Sequence, residues 1–127
     1  MKEIELTLKE IFALHSSING DETSGGLLDT DLSMVERFWT NDLNDQLNKI
    51  CGGVRNLRDD MIRRRGKPDS EGNVLIKATE EVELMIEGEV KKVLTYTKEF
   101  LDFQNEYSQL MNETYKLNIK DCVLRLI

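Results

Sequence analysis

Three sets of carboxylates are spaced as an α-helix would need in order to gather them. Glu80, Glu83 and Glu87 lie three and four residues apart, Asp42 and Asp45 three apart, and Glu99, Asp102 and Glu106 three and four apart. On a helix such spacings bring side chains to one face, where carboxylates can hold Mg²⁺ or share acid and base roles. Glu-rich helical bundles of this type can hydrolyse nucleotides. A helix start favours acids against its positive end in any case, and an exposed face is ordinarily charged. Neither Glu-rich cluster carries a Lys, Arg or His at matching spacing. Solvation is therefore the stronger reading, and a Mg²⁺-dependent nucleotide hydrolase built on Glu80 ranks last among the functional alternatives.

Other reactive residues are few. The single histidine, His15, falls on the apolar side of a predicted helix, where a boundary role is commoner than catalysis. Cys51 and Cys122 are the two cysteines, and no short spacing links them into a zinc cluster. Both occupy apolar-patterned positions and are expected as reduced thiols. There is no Gly-x-Ser-x-Gly elbow, and Gly25-Gly26 precedes acids rather than the Lys of a phosphate-binding loop. No catalytic residue, metal ligand or cofactor is assigned.

Charge is unevenly placed. The chain carries 17 Lys and Arg against 24 Asp and Glu, a net charge of −7. Residues 1–48 hold 3 basic and 10 acidic residues, residues 49–77 hold 8 and 4, and residues 78–127 hold 6 and 10. The acidic excess repels nucleic-acid phosphates, so direct DNA or RNA binding is not expected. Two groups stand out as candidate partner contacts. Asp21, Glu22, Asp29 and Asp31 lie in the acidic amino-terminal half, and Arg63, Arg64, Arg65 and Lys67 form a basic run. The basic run also complements a helix carboxyl end, and no aromatic residue is interleaved to stack bases.

With 127 residues, 8 Gly and 1 Pro, the chain fits one domain with too few turns for a β-barrel or sandwich. No apolar run is long enough to cross a membrane, and the first residues do not resemble an export signal.

Residues 7–19 predict a short helix, with Thr7 and Glu10 as a capping box. Ile4 and Leu6, alternating with charge, suggest an extended start. Residues 20–31, GDETSGGLLDTD, are a Gly-rich loop, expected to be the most mobile segment. Residues 33–65 predict a long helix that begins with a Ser33–Glu36 capping box. Its seam runs through 43, 47, 50, 54, 57 and 61, in steps of 4-3-4-3-4. Gly52-Gly53 interrupts it, by a kink or by close packing. Residues 66–78 predict a turn and a short strand at 74–76. Residues 80–113 predict a second long helix capped by Thr79, and 115–119 a strand that pairs with 74–76. Residues 120–127 form an apolar tail that either docks or makes a homo-oligomer contact. The expected fold is mainly α: an antiparallel hairpin of long helices, each spanning roughly 50 Å, with a short amino-terminal helix and a minimal two-stranded β element. Phe38 and Phe103, beside the seams, are expected in the core, with an exposed hot spot as the alternative.

The stretch RNLRDDMIRRRGKPDSEGNVLI followed by EFLDFQNEYSQLMNETYKLNI resembles small hydrophilic proteins of bacteriophages and prophages, a family of unknown function; the pattern covers residues 54–119. The resemblance implies a phage product in a bacterial cytoplasm or a virion, and brings no catalytic residues. The expected function is non-enzymatic binding of a host or phage protein, with inhibition of a nucleic-acid-handling or defence protein as its sharper form. A virion structural or assembly component is the alternative.

Overall fold

The amino-terminal strand and the last long strand of the chain find each other across more than a hundred residues. A computed structural model describes all of residues 1–127. Strand β1 (Lys2–Thr7) leads into α1 (Leu8–Asn19), then a 3-10 turn (Leu27–Asp29) and the long helix α2 (Met34–Arg65). Four strands follow: β2 (Lys67–Pro68), β3 (Val74–Leu75), β4 (Thr79–Ile86) and β5 (Glu89–Tyr96). Helix α3 (Lys98–Met111), β6 (Thr114–Ile119) and α4 (Asp121–Leu124) complete the chain. The sheets are three antiparallel pairs, β1–β6, β2–β3 and β4–β5. The chain divides into two compact units, Met1–Arg55 with Leu110–Ile127, and Asn56–Gln109.

The first unit holds every buried apolar side chain. In the β1–β6 pair, Ile4 lies opposite Leu117, and Lys2 opposite Ile119. Partners directly opposite share a face, and this one turns Leu117 and Ile119 into the core. The other face is polar: Lys116 Nζ lies 3.4 Å from Glu3 Oε1, and Thr114 Oγ1 donates to Glu5 Oε1 at 2.7 Å. Both expected capping boxes are present. Thr7 N donates to Glu10 Oε1 at 3.0 Å and Glu10 N to Thr7 Oγ1 at 3.1 Å. Ser33 N donates to Glu36 Oε1 at 2.9 Å and Glu36 N to Ser33 Oγ at 3.1 Å. Leu8, Ile11 and Ile18 of α1 are buried together with Thr40, Leu43, Leu47, Cys51 and Val54 of α2. The buried stripe passes through Cys51 rather than Ile50, and Leu57 is exposed. A straight helix of 3.6 residues per turn drifts away from a strict heptad in this manner.

The mainly α expectation is overturned: the protein is an α+β mixture. Residues 80–113 are not one helix but the β4–β5 hairpin followed by α3. The break is at Glu87-Gly88, which have φ of 53° and 81° and connect Ile86 to its partner Glu89. Two consecutive positive φ angles make the two-residue turn whose twist suits a hairpin. The Val and Thr residues on either side favour strand, and their spacing satisfies a helical seam only by coincidence. Thr97, not Thr79, serves as the helix cap, with Oγ1 accepting from Phe100 N at 3.2 Å. The strand at 114–119 pairs with β1, not with 74–76, because β1 offers six partners in matching apolar alternation. Val74 and Leu75 instead pair with Lys67 and Pro68 across the Asp69–Asn73 turn.

Candidate protein-binding surface

Loop 20–31 is braced by hydrogen bonds within itself. Gly20 and Gly25 form an antiparallel bridge. Asp21 Oδ1 accepts from Thr23 N at 2.8 Å and Ser24 N at 2.7 Å. The backbone donors of Ser24 and then Thr23 hold the Asp21 carboxyl below its ordinary value. Gly20 has φ of +74°, and a Cβ there would stand 2.4 Å from Gly26 N, so this crossing needs glycine. Arg37 then clamps the far side of the loop to α2: Nη1 donates to Leu28 O and Nη2 to Thr30 O, each at 3.0 Å.

That clamp sets Asp29 and Asp31 beside the first turns of α2. Met34, Val35 and Phe38 there are exposed by 90%, 63% and 64%. Phe38 lies about 200° around the helix from Thr40, at roughly 100° per residue, so it points away from the buried stripe. It is thus not a core residue. Its ring meets the half-buried Trp39 edge-on, with centroids 5.0 Å apart, and Lys120 Nζ sits 4.9 Å from the Trp39 ring centroid. The result is an apolar step flanked by carboxylates. Of the acidic candidates, Asp21 turns its carboxylate into the loop, while Glu22, Asp29 and Asp31 are exposed.

The basic run lies in the second unit and is largely neutralised locally. Arg64 Nη2 is 3.1 Å from Asp60 Oδ2 and Arg63 Nη2 is 3.8 Å from Asp60 Oδ1. Arg65 pairs with Glu106 of α3. Arg65, Lys67 and Lys77 line a cleft of about 460 Å³ together with Asp69, Glu80 and Glu99. Equal numbers of cations and anions give it no single-sign field for a phosphate chain.

The Glu80 cluster loses its premise. Glu80 and Glu83 are on β4, where a separation of three residues puts side chains on opposite faces, and Glu87 is in the turn. No three His, Cys, Asp or Glu side chains converge as metal ligands would. His15 Nε2 is 2.7 Å from Asn48 Oδ1, a contact between α1 and α2. Both cysteines are free, and burial pushes the Cys51 thiol up. The apolar tail docks as α4, with Val123 fully buried. No helix is long and apolar enough to cross a membrane.

Spacing and motif do not point to Arg37 or Met34, and spacing misplaces Val35: with Trp39 it continues the predicted seam of the long helix backwards, yet it is exposed because the core meets this helix only from Thr40 onward. Arg37 does carry a signal, since it is the only Lys or Arg between Glu10 and Asn48, and a lone cation amid acids invites a structural explanation. The chain matches no protein-family model, no curated protein and no solved structure.

Proposed function

We propose that this is a non-enzymatic binding protein whose contact surface is the Asp29–Phe38 segment of the first unit. The observation that carries this reading is the exposure of Met34, Val35 and Phe38 on a helix start that Arg37 ties to the acidic loop. Exposed aromatic and Met side chains act as anchors in protein recognition. Carboxylates around them supply charge complementarity that speeds encounter and rejects wrong partners. The matching surface is an apolar pocket with a basic rim, as on a protein that handles nucleic acid. Occupying such a groove would inhibit the partner by competing with phosphate. The phage setting, in a bacterial cytoplasm or a virion, rests on the resemblance of residues 54–119.

The test uses two variants of the full chain, immobilised beside the wild type in extract from the native host. One is Phe38→Ala. The other reverses Glu22, Asp29 and Asp31 to Lys but keeps Asp21, whose carboxylate shapes the loop. A protein retained by the wild type, lost from both variants and released by added salt supports the reading. Equal retention by all three overturns it.

A virion assembly role is favoured by a different observation, the uncovered apolar face of the β4–β5 hairpin.

A further inference from the structure

The pairing register of β4 and β5 sorts their side chains into two faces. Val82 opposite Val93 and Glu80 opposite Thr95 belong to one, on which Val82, Val93 and Thr95 are half-buried. The other face carries Thr79 with Tyr96, Glu81 with Leu94, Glu83 with Lys92 and Met85 with Val90. Here Leu94 is 74% exposed, Met85 72%, Tyr96 63% and Val90 61%. Such a row of large apolar side chains on one hairpin face marks an interaction site. A lone two-stranded hairpin is marginal in water and gains order when a face is covered.

The charges on this face indicate what covers it. The acids, Glu81 and Glu83, are on β4 and the single base, Lys92, is on β5. A two-fold axis along the strands, between two copies set face to face, lays β4 of each over β5 of the other. Glu83 then meets Lys92 of the second copy, and Met85 meets Val90, each contact occurring twice. The Glu83–Lys92 and Met85–Val90 end of the face is therefore complementary to itself, as an isologous interface demands, while the same operation sets Glu81 over Leu94 of the second copy. A face-to-face stack with strands nearly aligned is an ordinary sheet packing.

We propose that the outer face of the β4–β5 hairpin is a homodimer surface, seated on Met85, Val90, Leu94 and Tyr96 and registered by Glu83 against Lys92 of the second copy.

Sedimentation of the full chain over a micromolar concentration series tests this with Glu83→Lys and Lys92→Glu, each checked for wild-type circular dichroism. The wild type is expected to shift from monomer to dimer. Each variant alone places like charges across the two-fold twice and is expected to dimerise at least about tenfold more weakly. Mixing the two variants restores both opposite-charge contacts between chains, while the cross-strand clash within each chain remains. A dimer in the mixture but in neither variant alone supports the proposal and separates it from a folding defect. A wild type that stays monomeric overturns it and assigns the face to another partner. Variants that dimerise as the wild type does, or a mixture that stays monomeric, overturn it as well.

Discussion

Asn19 and Asn44 exchange amide hydrogen bonds across α1 and α2. Asn19 Nδ2 donates to Asn44 Oδ1 at 2.8 Å, and Asn44 Nδ2 returns a bond to Asn19 Oδ1 at 3.2 Å. One turn along, His15 meets Asn48 at 2.7 Å. Beyond that, the Arg55 guanidinium lies 5.6 Å from the centroid of the Phe12 ring. The three contacts form a polar ladder beside the apolar seam and fix the register of the two helices. Asn19→Ala and Asn44→Ala are each expected to cost about 0.5–1.5 kcal/mol. The double variant should cost less than their sum, because one interaction is being removed twice. Strict additivity in urea melts would show that the pair contributes nothing jointly.

Arg37 lies within the proposed contact segment, but its guanidinium is engaged in holding Leu28 and Thr30 to α2. Arg37→Ala should leave the fold intact and speed amide exchange in residues 27–31. It should also weaken retention of the partner, with loss of a pre-set loop rather than of a contact. Unchanged exchange in that loop would remove the clamp from the account.

Gly52 and Gly53 sit inside α2 with no positive φ, and a Cβ at either position would find no neighbouring element within 4 Å. Close packing against another backbone is therefore not their reason. Gly52→Ala and Gly53→Ala should each raise stability by about 0.5–1 kcal/mol. A loss in thermal melts would contradict these open surroundings.

The legibility of the sequence follows from the same distinction between local and distant causes. Both capping boxes are readable because a hydroxyl and a carboxylate three residues on satisfy each other within one turn. The seam of α2 is readable at Leu43, Leu47 and Val54, but the heptad step to Ile50 misses Cys51, which a straight helix turns to the core instead. The β4–β5 hairpin is not, because Val82, Ile86, Val90 and Val93 fit a helical period while Val82, Leu84 and Ile86 also fit a strand. Glu87-Gly88 is the deciding signal, and its meaning depends on backbone angles rather than on hydrophobicity. Phe38 cannot be placed from spacing alone, since exposure depends on which other elements arrive. Arg37 stands out as a lone cation amid acids, but the carbonyls it binds leave no mark in residue types.

Thr40 is fully buried, and its Oγ1 has no hydrogen-bond partner. Thr40→Val replaces the hydroxyl by a methyl of nearly the same shape. It should raise stability by about 1 kcal/mol, read as a higher denaturant midpoint with an unchanged slope. A lower midpoint would mean that the hydroxyl is satisfied in solution.

Acid should loosen both helix starts. The Thr7 backbone N–H, and then its hydroxyl, hold Glu10 below its ordinary value of 4.5, and Ser33 does the same for Glu36. The unfolded chain therefore takes up these protons more readily. The stabilisation is complete above about pH 4.5 and is lost as pH falls through the depressed values. Glu10→Gln and Glu36→Gln keep a capping side chain that does not titrate. The double variant should show a shallower loss of melting temperature between neutral and acid pH than the wild type. Parallel curves would count against the caps as the source.

None of the ten buried apolar side chains belongs to residues 56–109. Substitutions away from packed sites usually change stability by less than about 0.5 kcal/mol. The core of the first unit thus draws on none of its side chains, and replacing an exposed residue there alters what the β4–β5 hairpin offers to a second copy while the scaffold behind Asp29–Phe38 keeps its packing.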